Sequence, residues 1–414
     1  MHILFLSHYF PPEVNAPATR TYEHCKRWAA LGHKVTVITC APNCPNGVIY
    51  KGYKNSLSTK ETIDGINVIR IWTYVAPNKG FFKRIANYIS YMISATIRGF
   101  FVQDVDIVIA TSPQFFCGWA GVLLHWLRKW PFILEIRDIW PESIVTVGAM
   151  RKSRTISFLE VLEKKMYEAA DHIVAVGDGY KQRIMIKGIE SEKISVIING
   201  VDLERFQLKT GGNSAKQKYG AENKFVCSYI GTVGMAHGLE VVLKAARICK
   251  SKNIDDIIFW IVGDGAKKEE LENQAKMEKL DQVFFTGRLP KEEMPSIVAS
   301  SDCCLVHLRG SELFSTVIPS KIFEIMAMNI PIIMAVKGEA QEIVTKGKAG
   351  VVMEPDDPES LISCISQIRN QGKDSFAGRQ FVADNYDRNQ LALKMLEIIE
   401  KCAIKESALA EQQI

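Results

Sequence analysis

Phe225-Val226-Cys227-Ser228-Tyr229-Ile230-Gly231-Thr232-Val233-Gly234-Met235-Ala236-His237-Gly238-Leu239 is the stretch on which the fold turns. Its first six residues are mostly apolar and read as a buried strand. A glycine-rich turn follows, and 238–250 has the periodicity of an amphipathic helix. Strand, glycine turn and helix in this order are the opening unit of a doubly wound sheet. Three glycines within eight positions suit a diphosphate at a helix start, although a tight turn needing glycine reads the same way. The GK[ST] ending of a P-loop is absent.

The same rhythm extends in both directions. Downstream, strands are expected at 257–262, 282–286, 303–307, 331–334 and 350–353, with helices at 266–279, 291–299, 320–328, 339–346 and 357–371. Upstream, strands are expected at 2–7, 34–39, 66–71, 106–110, 132–136, 172–176 and 194–198, with helices at 17–31, 80–102, 114–128 and 153–169. A hairpin-like insertion rich in Pro, Asn and Gly lies near 42–65. The rhythm stops at 199–224, which reads as a linker. The chain therefore predicts two tandem Rossmann-like α/β domains, 1–205 and 206–387. Parallel sheets bind ligands at their carboxyl ends, and two facing sheets would form a central cleft.

Size and composition agree with this. At about 150 residues per domain, 414 residues fit two domains. A net charge of +5 is too mild to call for nucleic acid. The ten cysteines include no CxxC pair and read as small buried hydrophobes. The opening run His2-Ile3-Leu4-Phe5-Leu6 is too short for a secretory segment, and no stretch offers the ~20 apolar residues of a membrane span.

Candidate site residues lie on loops that leave strands. Gly231, Thr232, Gly234 and His237 sit in the glycine turn. Gly263 and Asp264 follow the next strand; the glycine would let a nucleotide approach the backbone, and Asp264 either helps there or caps the next helix. Arg288 and Leu289 follow the strand after that, and Arg288 offers planar donors for phosphate or is a solvated surface arginine. Pro319-Ser320-Lys321-Ile322-Phe323-Glu324 is the most informative segment. Ser320 is placed to cap a helix starting at Lys321, and Lys321 and Glu324 share one helix face. A cation at a helix start opposes the dipole unless an anion sits there, and a carboxylate one turn on can accept both hydroxyls of a ribose. In the first half, Glu135-Ile136-Arg137-Asp138 ends a strand as a polar wall or a salt-bridge cluster. The Asn15-Ala16 loop precedes a helix start. From Gly65 to Gln103 there is no Asp or Glu, but there are Arg70, Lys79, Lys83, Arg84 and Arg98, so the helix over 80–102 is either a buried crossover or rests on an anionic membrane.

Together these motifs resemble the family 4 retaining glycosyltransferases, which have the GT-B fold. Phe10-Pro11-Pro12, Leu31-Gly32-His33-Lys34-Val35-Thr36-Val37, Ala170-Asp171-His172-Ile173-Val174, Ile198-Asn199-Gly200-Val201-Asp202, Val262-Gly263-Asp264-Gly265 and Gly287-Arg288 carry the resemblance over nearly the whole chain. Glu135–Ser143 and Pro319-Ser320-Lys321 look closest to bacterial O-antigen and capsule transferases for N-acetyl-L-fucosamine. The resemblance implies a ribose role for Glu324, while Thr316 stands where the family has the first glutamate of its E-x7-E motif. The family's diphosphate Arg and Lys fall on Thr232 and His237, so Lys321 and Arg288 are expected to supply the charge. Its cleft His-Asp pair corresponds to Arg137 and Asp138, and its Gly-Gly loop to Asn15 and Ala16. It implies that the C-terminal helix within 388–414 packs back on the first domain. The expected reaction moves a sugar from a UDP-sugar co-substrate, with no other cofactor and no metal, to an undecaprenyl-diphosphate-linked saccharide. The expected location is the cytoplasm, peripherally on the inner membrane. A UDP-sugar 2-epimerase of the same fold and a non-catalytic partner protein are the alternatives.

Overall fold

The computed structural model describes residues 1–44, 46–76, 81–112, 114–146, 153–208 and 214–411. The chain divides into two compact units, residues 1–198 with 388–414, and residues 199–387.

The first unit is built on an eight-stranded sheet. Its strands are β1 (His2–Leu6), β2 (Lys34–Cys40), β3 (Ser58–Ile63), β4 (Ile66–Ile71), β5 (Ile107–Ser112), β6 (Phe132–Ile136), β7 (His172–Ala175) and β8 (Ile194–Val196). They run in the order β3-β4-β2-β1-β5-β6-β7-β8. Only β3 is antiparallel, so the insertion ends in a hairpin on the sheet edge. The central strands are buried on both faces, as a sheet covered by crossover helices requires. Helices α1 (Ala16–Ala30), α2 (Phe81–Phe100), α3 (Phe115–Arg128), α4 (Glu142–Thr146), α5 (Arg154–Ala169) and α6 (Asp178–Ile186) complete the connections. On the face under α1, Ile3, Phe5, Val35, Val37 and Ile109 pack with Trp28. α2 lies on the opposite face, where Tyr91 donates to the Ile38 carbonyl at 2.8 Å.

The second unit holds six parallel strands, β9 (Phe225–Ile230), β10 (Ile257–Val262), β11 (Val283–Gly287), β12 (Cys303–His307), β13 (Ile332–Ala335) and β14 (Gly350–Val352). Their order is β11-β10-β9-β12-β13-β14, so the winding reverses between β9 and β12. Its helices are α7 (Ser214–Lys218), α8 (Glu240–Ser251), α9 (Lys268–Met277), α10 (Met294–Ala299), α11 (Lys321–Ala327), α12 (Glu339–Lys346), α13 (Pro358–Gln371) and α14 (Arg379–Tyr386).

The expected linker is corrected. Residues 199–205 belong to the second unit, which moves the boundary from 205/206 to 198/199. Val201 and Phe206 are buried, Val201 bridges to Asp387, and Arg379 donates to the Phe206 carbonyl at 2.5 Å. The turn residues Asn199-Gly200 misled the reading, because such chemistry marks a turn without saying whether its neighbours are solvated. Residues 209–213 of that stretch lie outside the described residues.

The last helix, α15 (Arg388–Glu411), lies within the expected 388–414 and packs on α1. Leu391, Met395, Leu396 and Ile399 enter the first unit's core, and the Trp28 indole donates to the Ala392 carbonyl at 2.9 Å.

Candidate functional site

In the second unit the candidate loops meet where the winding reverses. Backbone bonds stitch three of them together: Gly231 N–H to Val262 (2.8 Å), Val233 N–H to Asp264 (2.9 Å), and Gly263 N–H to Gly287 (2.9 Å). Gly263 has φ +145°, and a Cβ there would overlap the Gly231 carbonyl oxygen. Its glycine is therefore required by the neighbouring loop, whether or not a nucleotide also approaches. Asp264 does not cap α9; its carboxylate accepts from Gly265 N–H at 2.7 Å. The glycine turn enters a short 3₁₀ turn over Met235–His237, and Gly238 at φ +56° separates that turn from α8. The Thr232 and Gly234 amides donate to no protein acceptor among the described residues.

Lys321 lies at the centre of this edge. Its Nζ sits 3.8 Å from the centroid of the Tyr229 ring, and a Cβ on Gly231 would lie 3.0 Å from it. Among the described residues it forms no ion pair within 4.0 Å, which removes the reading of a surface pair with Glu324. Burial pushes its ammonium down to about 7, with Cys304 and Glu324 opposing. A cation held over a ring with no ion-pair partner among the described residues is a place for an anion. The Tyr229 hydroxyl donates to Thr232 O at 2.7 Å, which fixes the ring as a platform. His237 stands edge-on to Tyr229 with its Nδ1 buried and unpartnered; burial, then Lys321, push it down to about 3, so it is neutral. His307 Nε2 accepts from Asp356 N–H at 2.9 Å, so its Nδ1–H donates to His237 O at 2.7 Å.

α11 departs from expectation. Ser320 is itself helical and makes no side-chain cap. The amides of Ile322 and Phe323 are taken by the Pro319 and Ser320 carbonyls. Glu324, half-buried, is one turn beyond Lys321. Thr316 bonds its own loop, donating to Leu313 O at 2.7 Å. Arg288 is exposed where β11 ends, and Leu289 packs on the core around Trp260. A cavity of about 370 Å³ opens at the ends of β12, β13 and β14, bordered by Arg309, Phe314, Ser315, Lys337 and Glu354.

In the first unit, Asn15 caps α1 by accepting from Ala18 N–H at 2.9 Å, which leaves Ala16 as the first residue of the helix. Arg137 leaves β6 with Nε and Nη1 buried and unpartnered. Asp138 makes no ion pair with it; burial raises its carboxyl, against hydrogen bonds from Ser143 and the Ile139 amide. The expected salt-bridge alternative is met one helix away, where Arg20 Nε donates to Glu135 at 2.8 Å.

Residues 17–205 match the family model described as Glycosyltransferase Family 4, and residues 224–371 match the one described as Glycosyl transferases group 1. The chain is a glycosyltransferase. The transferase is 24% identical to the putative colanic acid biosynthesis glycosyl transferase WcaI of Escherichia coli (strain K12), over 96% of this chain and 100% of that one. It is 26% identical to the probable glycosyltransferase WbjE of Pseudomonas aeruginosa, over 68% of this chain and 71% of that one. Among solved structures it resembles Anabaena Alr3699/HepE in complex with UDP and glucose, with a TM-score of 0.72 at 18% identity, over 96% of this chain and 99% of that one. The fold is GT-B.

Three features of the transferase escaped the sequence reading. Tyr229 reads as core inside an apolar strand, and only its place two residues before Gly231 hinted at an edge role. Arg309 anchors the 3₁₀ turn by donating to Met235 O at 2.8 Å and to Glu240 at 2.8 Å. Arg20 and Glu135 are joined only by tertiary packing. No helix of the described residues is long and apolar enough to cross a membrane. Lys79 of the basic stretch lies outside the described residues; Lys83 and Arg84 are exposed.

Proposed function

We propose that the transferase moves an N-acetylated 6-deoxyhexose, such as N-acetyl-L-fucosamine, from a UDP-sugar to an undecaprenyl-diphosphate-linked saccharide, in building O-antigen or capsule polysaccharide. The carrying observation is Lys321, a cation over Tyr229 with no ion-pair partner among the described residues, beside the glycine turn. Lys321 and the Thr232 and Gly234 amides receive the diphosphate, and Glu324 takes the ribose. The bond from the anomeric carbon to the diphosphate breaks, and a bond to the acceptor oxygen forms on the same face. The acceptor proton goes to the departing phosphate, and UDP leaves. Fixed cations rather than a metal stabilise the developing charge. The names of the colanic acid relative and of the UDP-bound neighbour favour a nucleotide-sugar donor and a polysaccharide pathway.

The acceptor's lipid favours work at the inner face of the cytoplasmic membrane, with the protein peripheral. α2 fits this. Ile93, Ile97 and Phe100 are exposed along it, and Lys83 and Arg84 stand at its start.

The test is a screen of UDP-sugars against lipid-linked saccharides in membranes, following retained transfer. Lys321→Ala and Glu324→Ala are each expected to lower kcat/KM at least tenfold; unchanged transfer in both would place the site elsewhere. Release of free sugar or epimer without an acceptor would favour the epimerase reading. No binding of any nucleotide would leave a partner protein.

A further inference from the structure

Arg137 is unusual among the ionised groups of the first unit. Its Nε and Nη1 are buried without a hydrogen-bond partner among the described residues, while the residue as a whole is only half-buried and so has an open side. A guanidinium keeps its charge, so it cannot escape desolvation by losing a proton as a lysine can.

The groups around it offset its charge only in part. Glu135, the carboxylate that acts on it most, accepts from Arg20 Nε at 2.8 Å through Oε1, while its Oε2 accepts no hydrogen bond among the described residues. The rest of the Arg20 guanidinium donates to the Ile197 and Ile198 carbonyls at 2.8 and 3.2 Å. Burial disfavours the Arg137 charge most; Glu135 comes next and favours it, Arg20 opposes it, and Tyr180 and Arg388 add smaller effects of opposite sign. Asp138, next in sequence, turns to Ser143 and the Ile139 amide, and its own carboxyl is raised by burial. Arg137 N–H bonds the Ser112 carbonyl at 3.2 Å, which holds the residue at the carboxyl ends of β5 and β6, the ligand edge of a parallel sheet. Two arginines thus share one carboxylate, whose Oε2 also accepts no hydrogen bond among the described residues, and Arg137 makes no side-chain hydrogen bond at the edge of a parallel sheet where ligands bind.

We propose that Arg137 binds an oxyanion carried by the substrate, either the carboxylate of an acidic sugar or a phosphate of the lipid-linked acceptor. Planar N–H donors and a full positive charge match both groups. This rests on the transferase reading above, and it adds a charge requirement that reading does not contain. A neutral sugar on a neutral carrier would leave Arg137 only partly compensated.

The test compares two probe pairs by calorimetry on the full chain, with and without saturating UDP: glucuronate against glucose, and geranyl diphosphate against geraniol. In one pair the anionic member is expected to bind at least tenfold tighter than its neutral counterpart. Arg137→Gln should remove that preference and Arg137→Lys should restore part of it. The pair that responds identifies the source of the oxyanion. Arg137→Gln is also expected to fold, because the guanidinium makes no side-chain hydrogen bond among the described residues and Glu135 keeps its bond from Arg20. No preference for either anionic probe in the wild type overturns the proposal, and so does a preference that survives Arg137→Gln. A melting temperature lowered by Arg137→Gln with preference intact would make the residue structural. Failure of UDP to bind would sink the transferase reading separately, since the probe comparison without UDP still decides the role of Arg137.

Discussion

Lys321 couples the site to pH. Burial holds its ammonium down to about 7, so near neutral pH the empty site contains both amine and ammonium. A bound diphosphate favours the ammonium and raises that value. Above pH 7 the empty site has lost a proton that the occupied site keeps, so binding takes up a proton and weakens as pH rises. UDP affinity is expected to fall by up to about tenfold per pH unit above 7. Calorimetry in buffers of different ionisation enthalpy measures the proton uptake. Lys321→Ala should abolish it and cost about 10- to 100-fold in affinity, the range of a charge-assisted hydrogen bond. A flat affinity profile between pH 7 and 9 would remove Lys321 from the diphosphate. At this scale Lys321 was legible, because a lysine at a helix start is locally unfavourable and calls for an anion. Tyr229 beneath it was not, because an aromatic in an apolar strand carries no local sign of what crosses its face.

At the scale of elements, α15 is the clearest case of a helix whose role is set by where it docks. Alone it is weakly patterned, yet Leu391, Met395, Leu396 and Ile399 are all buried among β-strand residues such as Ile107, Ile109 and Ile133. Met395→Ala is expected to destabilise the chain by about 2–5 kcal/mol, the usual effect of truncating a fully buried side chain. Chemical denaturation followed by Trp28 fluorescence measures it, since that indole bonds the Ala392 carbonyl. A loss below about 0.5 kcal/mol, the level of a surface change, would mean that α15 is dispensable to that core. α11 teaches the reverse lesson. The pattern of Ser320 and Lys321 suggested a capped start, but the segment enters the helix through bonds from Ile322 and Phe323 to Pro319 and Ser320, so the serine side chain is not needed there.

At the scale of the whole molecule, charge distribution matters more than the net +5. The acid-free run from Gly65 to Gln103 supplies α2, on which Ile97 is 58% exposed. The full chain is expected to float with vesicles rich in anionic lipid at low salt, and to release as salt screens the basic groups. Ile97→Glu should weaken that binding several-fold; equal flotation with neutral vesicles, or an unaffected variant, would remove α2 from the contact. The strands of both units and most helices were legible from the amino-acid sequence alone, because burial on both faces writes apolar runs and helices write a 3.6-residue period, and both signals are local. So was the placement of the candidates on loops after strands. The sequence by itself did not determine that 199–205 belong with Asp387 and Arg379, that Gly263 must be bare because Gly231 lies against it, or that Arg20 bonds Glu135 while the Arg137 guanidinium does not. These were decided by tertiary structure alone, because each depends on which remote segments the strand order sets side by side, and local periodicity contains no term for that.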